Sequence, residues 1–214
     1  MSLTRLTSLI NFVRVRAMRL RKLEAKDAPR MLEWMHDENV VHFMKTDFMH
    51  KTMEDCERFI AFAQEDSSNI HRAIIDDEDN YMGTVSLKDI ENGSAEFAIT
   101  MHRSAMGKGL AAAGMKKIIS YGFRHVGLNV IYWCVSPENH RAVSFYDKNR
   151  YQRIMLSELC NKLNISRETL ENRGVQFRRG RALHLVSCRR EQVAGRRRTE
   201  QLNFVRESAP CQAV

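Results

Sequence analysis

No stretch of this chain stays apolar long enough to cross a bilayer as a helix. A spanning helix needs roughly 18 such residues, and even the segment from Ala111 to Val135 is interrupted by Lys116, Lys117, Arg124 and His125, so a transmembrane helix is not expected. Paired cysteines are missing as well. Cys56, Cys134, Cys160, Cys188 and Cys211 form an odd set with no CxxC spacing, which fits neither a disulfide framework nor a zinc knuckle and makes a reducing cytoplasm the expected location. None of the eight histidines stands in an HExxH arrangement, and no Gly-x-Ser-x-Gly elbow occurs. Zinc-protease and serine-hydrolase chemistry therefore lack their sequence marks, and no metal site is expected. Internal repeats are absent too.

Acidic residues are wanting at both ends. Residues 1–17 carry three Arg and no acid, residues 18–155 hold 19 basic and 20 acidic side chains, and residues 156–214 hold 12 basic and 6 acidic. The formal charge of +8 thus belongs to the termini, and the middle of the chain is nearly neutral, which argues against a fold built around nucleic acid. With 43% hydrophobic and 28% charged residues, the chain suits one well-buried core. Residues 1–17 read as an untargeted extension, 18–188 as one folded domain and 189–214 as a basic, solvated tail.

What is present is a regular alternation of elements. Met18 to Leu23 alternates as a short strand, and Glu24 to Met35 places Ala28, Met31, Leu32 and Met35 on one helical face. Thr52 opens a second helix, ending near Gln64, because its hydroxyl can cap it and Glu54 and Asp55 meet its positive end. His71 to Ile75, Tyr81 to Leu87 and Ala95 to Met101 are rich in strand formers and separated by turn clusters, which predicts an antiparallel meander. Leu110 to Arg124 is expected to be helical, with Gly114 and Gly122 letting it approach a sheet, and Val130 to Val135 a buried strand. Asn139 caps a helix from His140 to Lys148, and a strand begins at Tyr151. Beyond Leu156 the pattern weakens to a helical turn at 166–171 and a last strand at 182–188.

The densest signal is Met106-Gly-Lys-Gly-Leu-Ala111, set between a predicted strand and a predicted helix. Gly107 and Gly109 permit positive φ and close approach, and the N–H groups of Lys108, Gly109, Leu110 and Ala111 join a helix N-terminus whose dipole favours a pyrophosphate. Alone, such a loop can be an ordinary tight turn. A second cluster, Asn139-His-Arg-Ala-Val-Ser-Phe-Tyr146-Asp-Lys148 with Tyr151, spaces Asn139 and Tyr146 by two helical turns, roughly 10 Å, suited to two points on an extended ligand.

Together these motifs resemble the GNAT superfamily of N-acetyltransferases over residues 18–155. The family's Gln/Arg-x-x-Gly-x-Gly/Ala is matched at Met106, Gly109 and Ala111, with Met106 departing from the pattern, and its Asn-to-Tyr helix is matched from Asn139, with Arg150 standing where Gly is usual. Met18-Arg-Leu-Arg, Trp34 to Asn39 and Ala95 to Ala98 look like the branch of ribosomal-protein and amino-sugar acetyltransferases. The resemblance implies an α/β fold of the α+β type, a mixed, splayed sheet flanked by helices, with acetyl-CoA as co-substrate and a primary amine of a small metabolite, amino sugar or peptide as acceptor.

It also implies roles. Direct attack on a thioester requires a neutral amine, a stabilised oxyanion and a protonated leaving thiolate. Glu96 is the candidate base, the Met101 backbone N–H the oxyanion donor, and Tyr146 the general acid. Strand alternation groups Glu96 with Ala98 and Thr100 without saying which face they line; a solvent-facing carboxylate and a core aromatic are the other readings of Glu96 and Tyr146. His36, His42 and His50 read as surface groups, while Asp37 and Glu38 can attract a cationic amine. The contrasting function is a catalytically silent module of the same fold that binds a protein partner, or RNA through Arg178 to Arg181, Arg189-Arg190 and Arg196 to Arg198. Sparse aromatic interleaving favours a solvated tail over RNA binding.

Overall fold

The computed structural model describes residues 18–44 and 46–170 and the backbone of 183–188; the 1–17 extension and the 189–214 tail lie outside the described residues. Seven strands form one sheet: β1 (Arg19–Arg21), β2 (Ile70–Ile75), β3 (Tyr81–Glu91), β4 (Ser94–Met101), β5 (Val130–Val135), β6 (Gln152–Ile154) and β7 (Leu183–Cys188). Their spatial order is β1-β2-β3-β4-β5-β7-β6, with β4 and β5 the one parallel pair among the described residues. A parallel pair cannot be joined by a hairpin; here α4 (Leu110–Tyr121) and a π-type turn, Gly122–Val126, make the crossover. The mixed, open sheet is the expected one.

Helix α4 covers one face. Its Met115, Ile118 and Ile119 meet Val85, Leu87, Phe97, Ile131 and Trp133 in the largest cluster of buried side chains. The approach is close: a β-carbon on Gly114 would lie 2.7 Å from Ile74 Cδ1, and one on Gly122 would lie 2.9 Å from Ile131 Cδ1. The small residues read from the sequence as contact points are therefore contact points.

The opposite face carries two separate helical groups. Over β2 and β3 lie α1 (Ala28–Met35), α2 (Glu38–Val41) and α3 (Met53–Glu65), which bury Trp34, Met35, Cys56 and Ile60 against Ala73 and Tyr81. The first helix starts later than its periodicity predicts. A 3-10 turn, Ala25–Asp27, precedes it, with buried Asp27 accepting from the Glu24 N–H and from both terminal nitrogens of Arg21. Thr52 caps α3 as read, its Oγ1 accepting from the Asp55 N–H at 3.2 Å while Asp55 answers the Thr52 N–H at 3.0 Å. At the other side of this face, α6 (Leu156–Leu163) and α7 (Arg167–Leu170) pack Leu159, Leu163 and Leu170 on Tyr132 and Ile154. Helix α6 is not marked by the sequence pattern. The strand expected at 182–188 is β7, inserted between β5 and β6.

Candidate active site

The site begins where β4 and β5 part. They pair only from Ser94 with Val130 to Glu96 with Tyr132, yet β4 continues to Met101 and β5 to Val135. Past Glu96, β4 keeps β3 on one side and faces an opening on the other. Burial records the consequence: Tyr81 to Leu87 of β3 are buried throughout, whereas Ala98, Ile99, Thr100 and Met101 of the neighbouring central strand are only half-buried.

Backbone polarity points into that opening. The His102 N–H donates to Met82 O at 2.9 Å while Met101 lies opposite Gly83. In an antiparallel ladder this makes Met101 and Gly83 a pair that exchanges no hydrogen bonds, so the Met101 N–H is turned away from β3 and toward the gap. Ile99, two residues back, has the same phase.

The gap ends at the glycine loop. Gly107 and Gly109 both sit at φ +75°, a conformation other residues adopt at a cost. Neither would bring a β-carbon within 4 Å of another group, so the loop's concavity is open. Gly109 is the N-cap of α4 and supplies no side-chain acceptor, which leaves the N–H groups of Leu110, Ala111 and the next residue directed outward, as an anion cradle requires. Lys108 is exposed beside it.

A clamp that was not read from the sequence fixes this loop to the first helices. His102 Nε2 lies 2.8 Å from Glu33 Oε2, Arg30 Nη2 donates to Ser104 Oγ at 2.9 Å, and Arg103 Nη1 lies 3.7 Å from Asp37 Oδ2. Met106 packs against the apolar cluster of α1 and α3. Asp37, a candidate attractor of amines, is thus engaged by Arg103 and by the capping of Asn39 N–H at 3.0 Å. His36, His42 and His50 are exposed, as read. Contacts between residues seventy positions apart leave no spacing signature, so only the fold could disclose this clamp.

Helix α5 (His140–Lys148) brings the second motif to the same opening. Asn139 Oδ1 accepts from the Ala142 N–H at 3.1 Å, which orients the side chain and leaves its amide nitrogen to donate elsewhere. Tyr146 is buried with 8% exposure, its ring 5.5 Å from Trp133 and 5.2 Å from Phe145. Burial, and secondarily Tyr151, pushes its phenol well above the usual range. The indole N–H of Trp133 is buried without a hydrogen-bond partner among the described residues, an orphan donor in the core beside Tyr146. Arg150, in the family's glycine position, has φ +59°, the left-handed turn that explains the glycine elsewhere.

Glu96 lies on the last rung between β4 and β5, beside Tyr132. Ala95 and Phe97 face α4, so alternation puts Glu96, Ala98 and Thr100 on the opposite face, in the strip between the two helical groups. The side chain is 16% exposed, and Lys88 Nζ stands 3.1 Å from its Oε2. Lys88 is a partner that sequence spacing did not suggest. Among the described residues no three His, Cys, Asp or Glu side chains gather to hold a metal ion.

Comparison with known proteins bears on the family and the fold. The family model described as the acetyltransferase (GNAT) domain matches residues 17–152. The chain is 30% identical over 139 residues to an uncharacterized N-acetyltransferase, p20, of Bacillus licheniformis, across 63% of this chain and 78% of that one. It is 29% identical over 140 residues to spermidine N(1)-acetyltransferase of Escherichia coli K12, across 62% and 71% respectively. The solved structure of spermidine N-acetyltransferase from Vibrio cholerae in complex with CoA and spermine superposes with a TM-score of 0.65 over 82% of this chain and 98% of that one, at 20% identity, a likeness of fold.

Proposed function

The chain belongs to the GNAT acetyltransferase family, and from that membership and the parted strands we propose that it transfers an acetyl group from acetyl-CoA to a primary amine by direct attack. The observation that carries the reading is the opening between β4 and β5, with an inward-turned Met101 N–H along it and an uncapped glycine loop at its end. The residues present fit the donor: outward N–H groups and an open concavity for a pyrophosphate, and the Ile99 and Met101 N–H groups, turned away from β3, for an amide-bearing arm. The CoA complex of the structural neighbour supports the same donor. Relatives named for spermidine support a small amine as acceptor.

Bound acetyl-CoA supplies an electrophilic thioester carbonyl and a thiolate leaving group. Glu96 takes a proton from the acceptor ammonium so that nitrogen can attack. The Met101 N–H donates to the oxygen as charge develops on it. As nitrogen gains the acyl carbon and the carbon–sulfur bond breaks, Tyr146 donates its phenolic proton to the departing sulfur, and the acylated nitrogen loses its second proton, which through solvent restores the phenol. Glu96 is on one face of the sheet and Tyr146 packs on the other; the parting of the strands is what lets both address the same atoms.

The test is bisubstrate kinetics. Direct attack requires both substrates bound at once, so double-reciprocal plots should intersect. Parallel lines with an acetylated enzyme intermediate, a ping-pong pattern, would exclude the mechanism. The same assay run on Glu96→Gln should lose rate at neutral pH and regain part of it as pH rises and free amine accumulates.

A further inference from the structure

The family pattern has a Gln or Arg at the head of the glycine loop, and this chain has Met106 there. The structure shows where that methionine goes and what stands beside it. Its side chain packs into the apolar cluster of α1 and α3, so the position has become a hydrophobic anchor. Against its sulfur, at 3.0 Å, lies the Nη1 of Arg141, whose Nη2 is 3.5 Å from Asn39 O.

Those are poor acceptors for a guanidinium. A thioether accepts weakly, and 3.5 Å is the outer limit of a hydrogen bond. Arg21, Arg58, Arg103 and Arg153 each have a carboxylate partner; among the described residues no carboxylate lies within ion-pair distance of Arg141. Nor does Arg141 serve its own helix. It occupies the first turn of α5, which has no acidic residue, and a cation there opposes the helix dipole. An exposed side chain is thus held, against its local electrostatics, across the head of a loop whose own N–H groups lack a cap.

We infer that Arg141 is a phosphate ligand of the donor, delivering from α5 a side-chain N–H donor like the one the family places at the head of the loop. The inference rests on the acetyl-CoA reading above. Its target is the pyrophosphate, because Met106 begins the loop whose N–H groups face that group; a planar guanidinium can bind two of its oxygens at once. Leaving the sulfur of Met106 for phosphate oxygens exchanges a weak acceptor for a charged one.

Calorimetric titration tests this on the full chain. Wild-type and Arg141→Gln proteins are titrated with acetyl-CoA and with dephospho-CoA, which keeps the pyrophosphate and lacks the 3′-phosphate. The expected result is a loss of roughly 10- to 100-fold in affinity in the variant, equal for the two ligands and smaller at high salt. The melting temperature should not change, since the side chain is exposed. In turnover the variant should raise KM for acetyl-CoA and leave kcat and the KM for the amine unaltered. Adding Met106→Arg to the variant should recover part of the affinity. Wild-type affinity in Arg141→Gln would overturn the assignment, as would a loss confined to acetyl-CoA, which would point to the 3′-phosphate. Failure of the wild-type protein to bind either ligand would overturn the acetyl-CoA reading first and this inference with it.

Discussion

Single residues carry the proposed chemistry and the clearest departures from pattern. Tyr146 sits among Trp133, Phe145 and Tyr151, and burial raises its pKa. A raised pKa keeps the phenol protonated across neutral and mildly alkaline pH, so no loss of rate should be traceable to Tyr146 until well above the usual tyrosine value of about 10. A rate–pH profile of wild type against Tyr146→Phe checks this; a wild-type alkaline limb below that value, absent in the variant, would contradict the protonated role. Arg150 offers a second test. Its φ of +59° costs about 1–2 kcal/mol relative to glycine, partly offset by the greater freedom glycine gives the unfolded chain. Arg150→Gly should therefore stabilise by about 1 kcal/mol, raising the melting temperature by about 2–4 °C. The sequence marked both positions through the family motif. It could not supply the Lys88 contact to Glu96, because register between strands is set by the whole sheet.

At the scale of elements, two glycines of the α4 region should answer differently to alanine. Gly109 has room for a β-carbon but a left-handed φ of +75°, so Gly109→Ala should distort the cradle at a cost of about 1–2 kcal/mol and weaken acetyl-CoA binding in calorimetry. Gly122 has a helical φ of −55°, but a β-carbon would stand 2.9 Å from Ile131 Cδ1 and 3.0 Å from Leu87 Cδ1. Gly122→Ala should lower stability in urea by about 1–3 kcal/mol through overpacking and leave the affinity of the folded protein intact. Buried His71 links β2 to β3, its Nδ1 2.8 Å from Ser86 Oγ. Burial holds its pKa below the ordinary value, with nearby Asp66 opposing. The folded state thus binds this proton less readily than the unfolded state, and stability should fall as pH drops below about 6.5 toward the folded pKa. His71→Gln should flatten that part of the urea-midpoint profile; an unchanged slope would contradict it. Elements with strong periodicity and caps, such as α3 with Thr52 and α5 with Asn139, were legible in the sequence. Helix α6 was not, since Leu156, Leu159 and Leu163 make too short a stripe to separate from a loop without Tyr132 beneath it.

Across the whole molecule, chain order declared the fold while long-range closure did not. The succession of meander, crossover helix and capped helix specified a mixed sheet with its glycine loop at a strand end. The insertion of β7 between β5 and β6, and the clamp from α1 and α2 onto residues 102–106, join segments far apart in sequence and leave no local trace. Both act on the same feature. Pairing with β7 draws β5 one way, pairing with β3 holds β4 the other, and the strands part at Glu96 with the loop fixed at the end of the gap. On the proposed mechanism, Tyr146 and Glu96 reach one substrate from opposite faces of the sheet. The most direct measurement of that account is thiol release from acetyl-CoA in the presence of a panel of primary amines, polyamine, amino sugar and peptide, with wild-type and Tyr146→Phe proteins side by side. The expected result is amine-dependent release that falls by about 10²–10⁴-fold in the variant. Binding of acetyl-CoA with no amine-dependent release, or equal release by the two proteins, would contradict it.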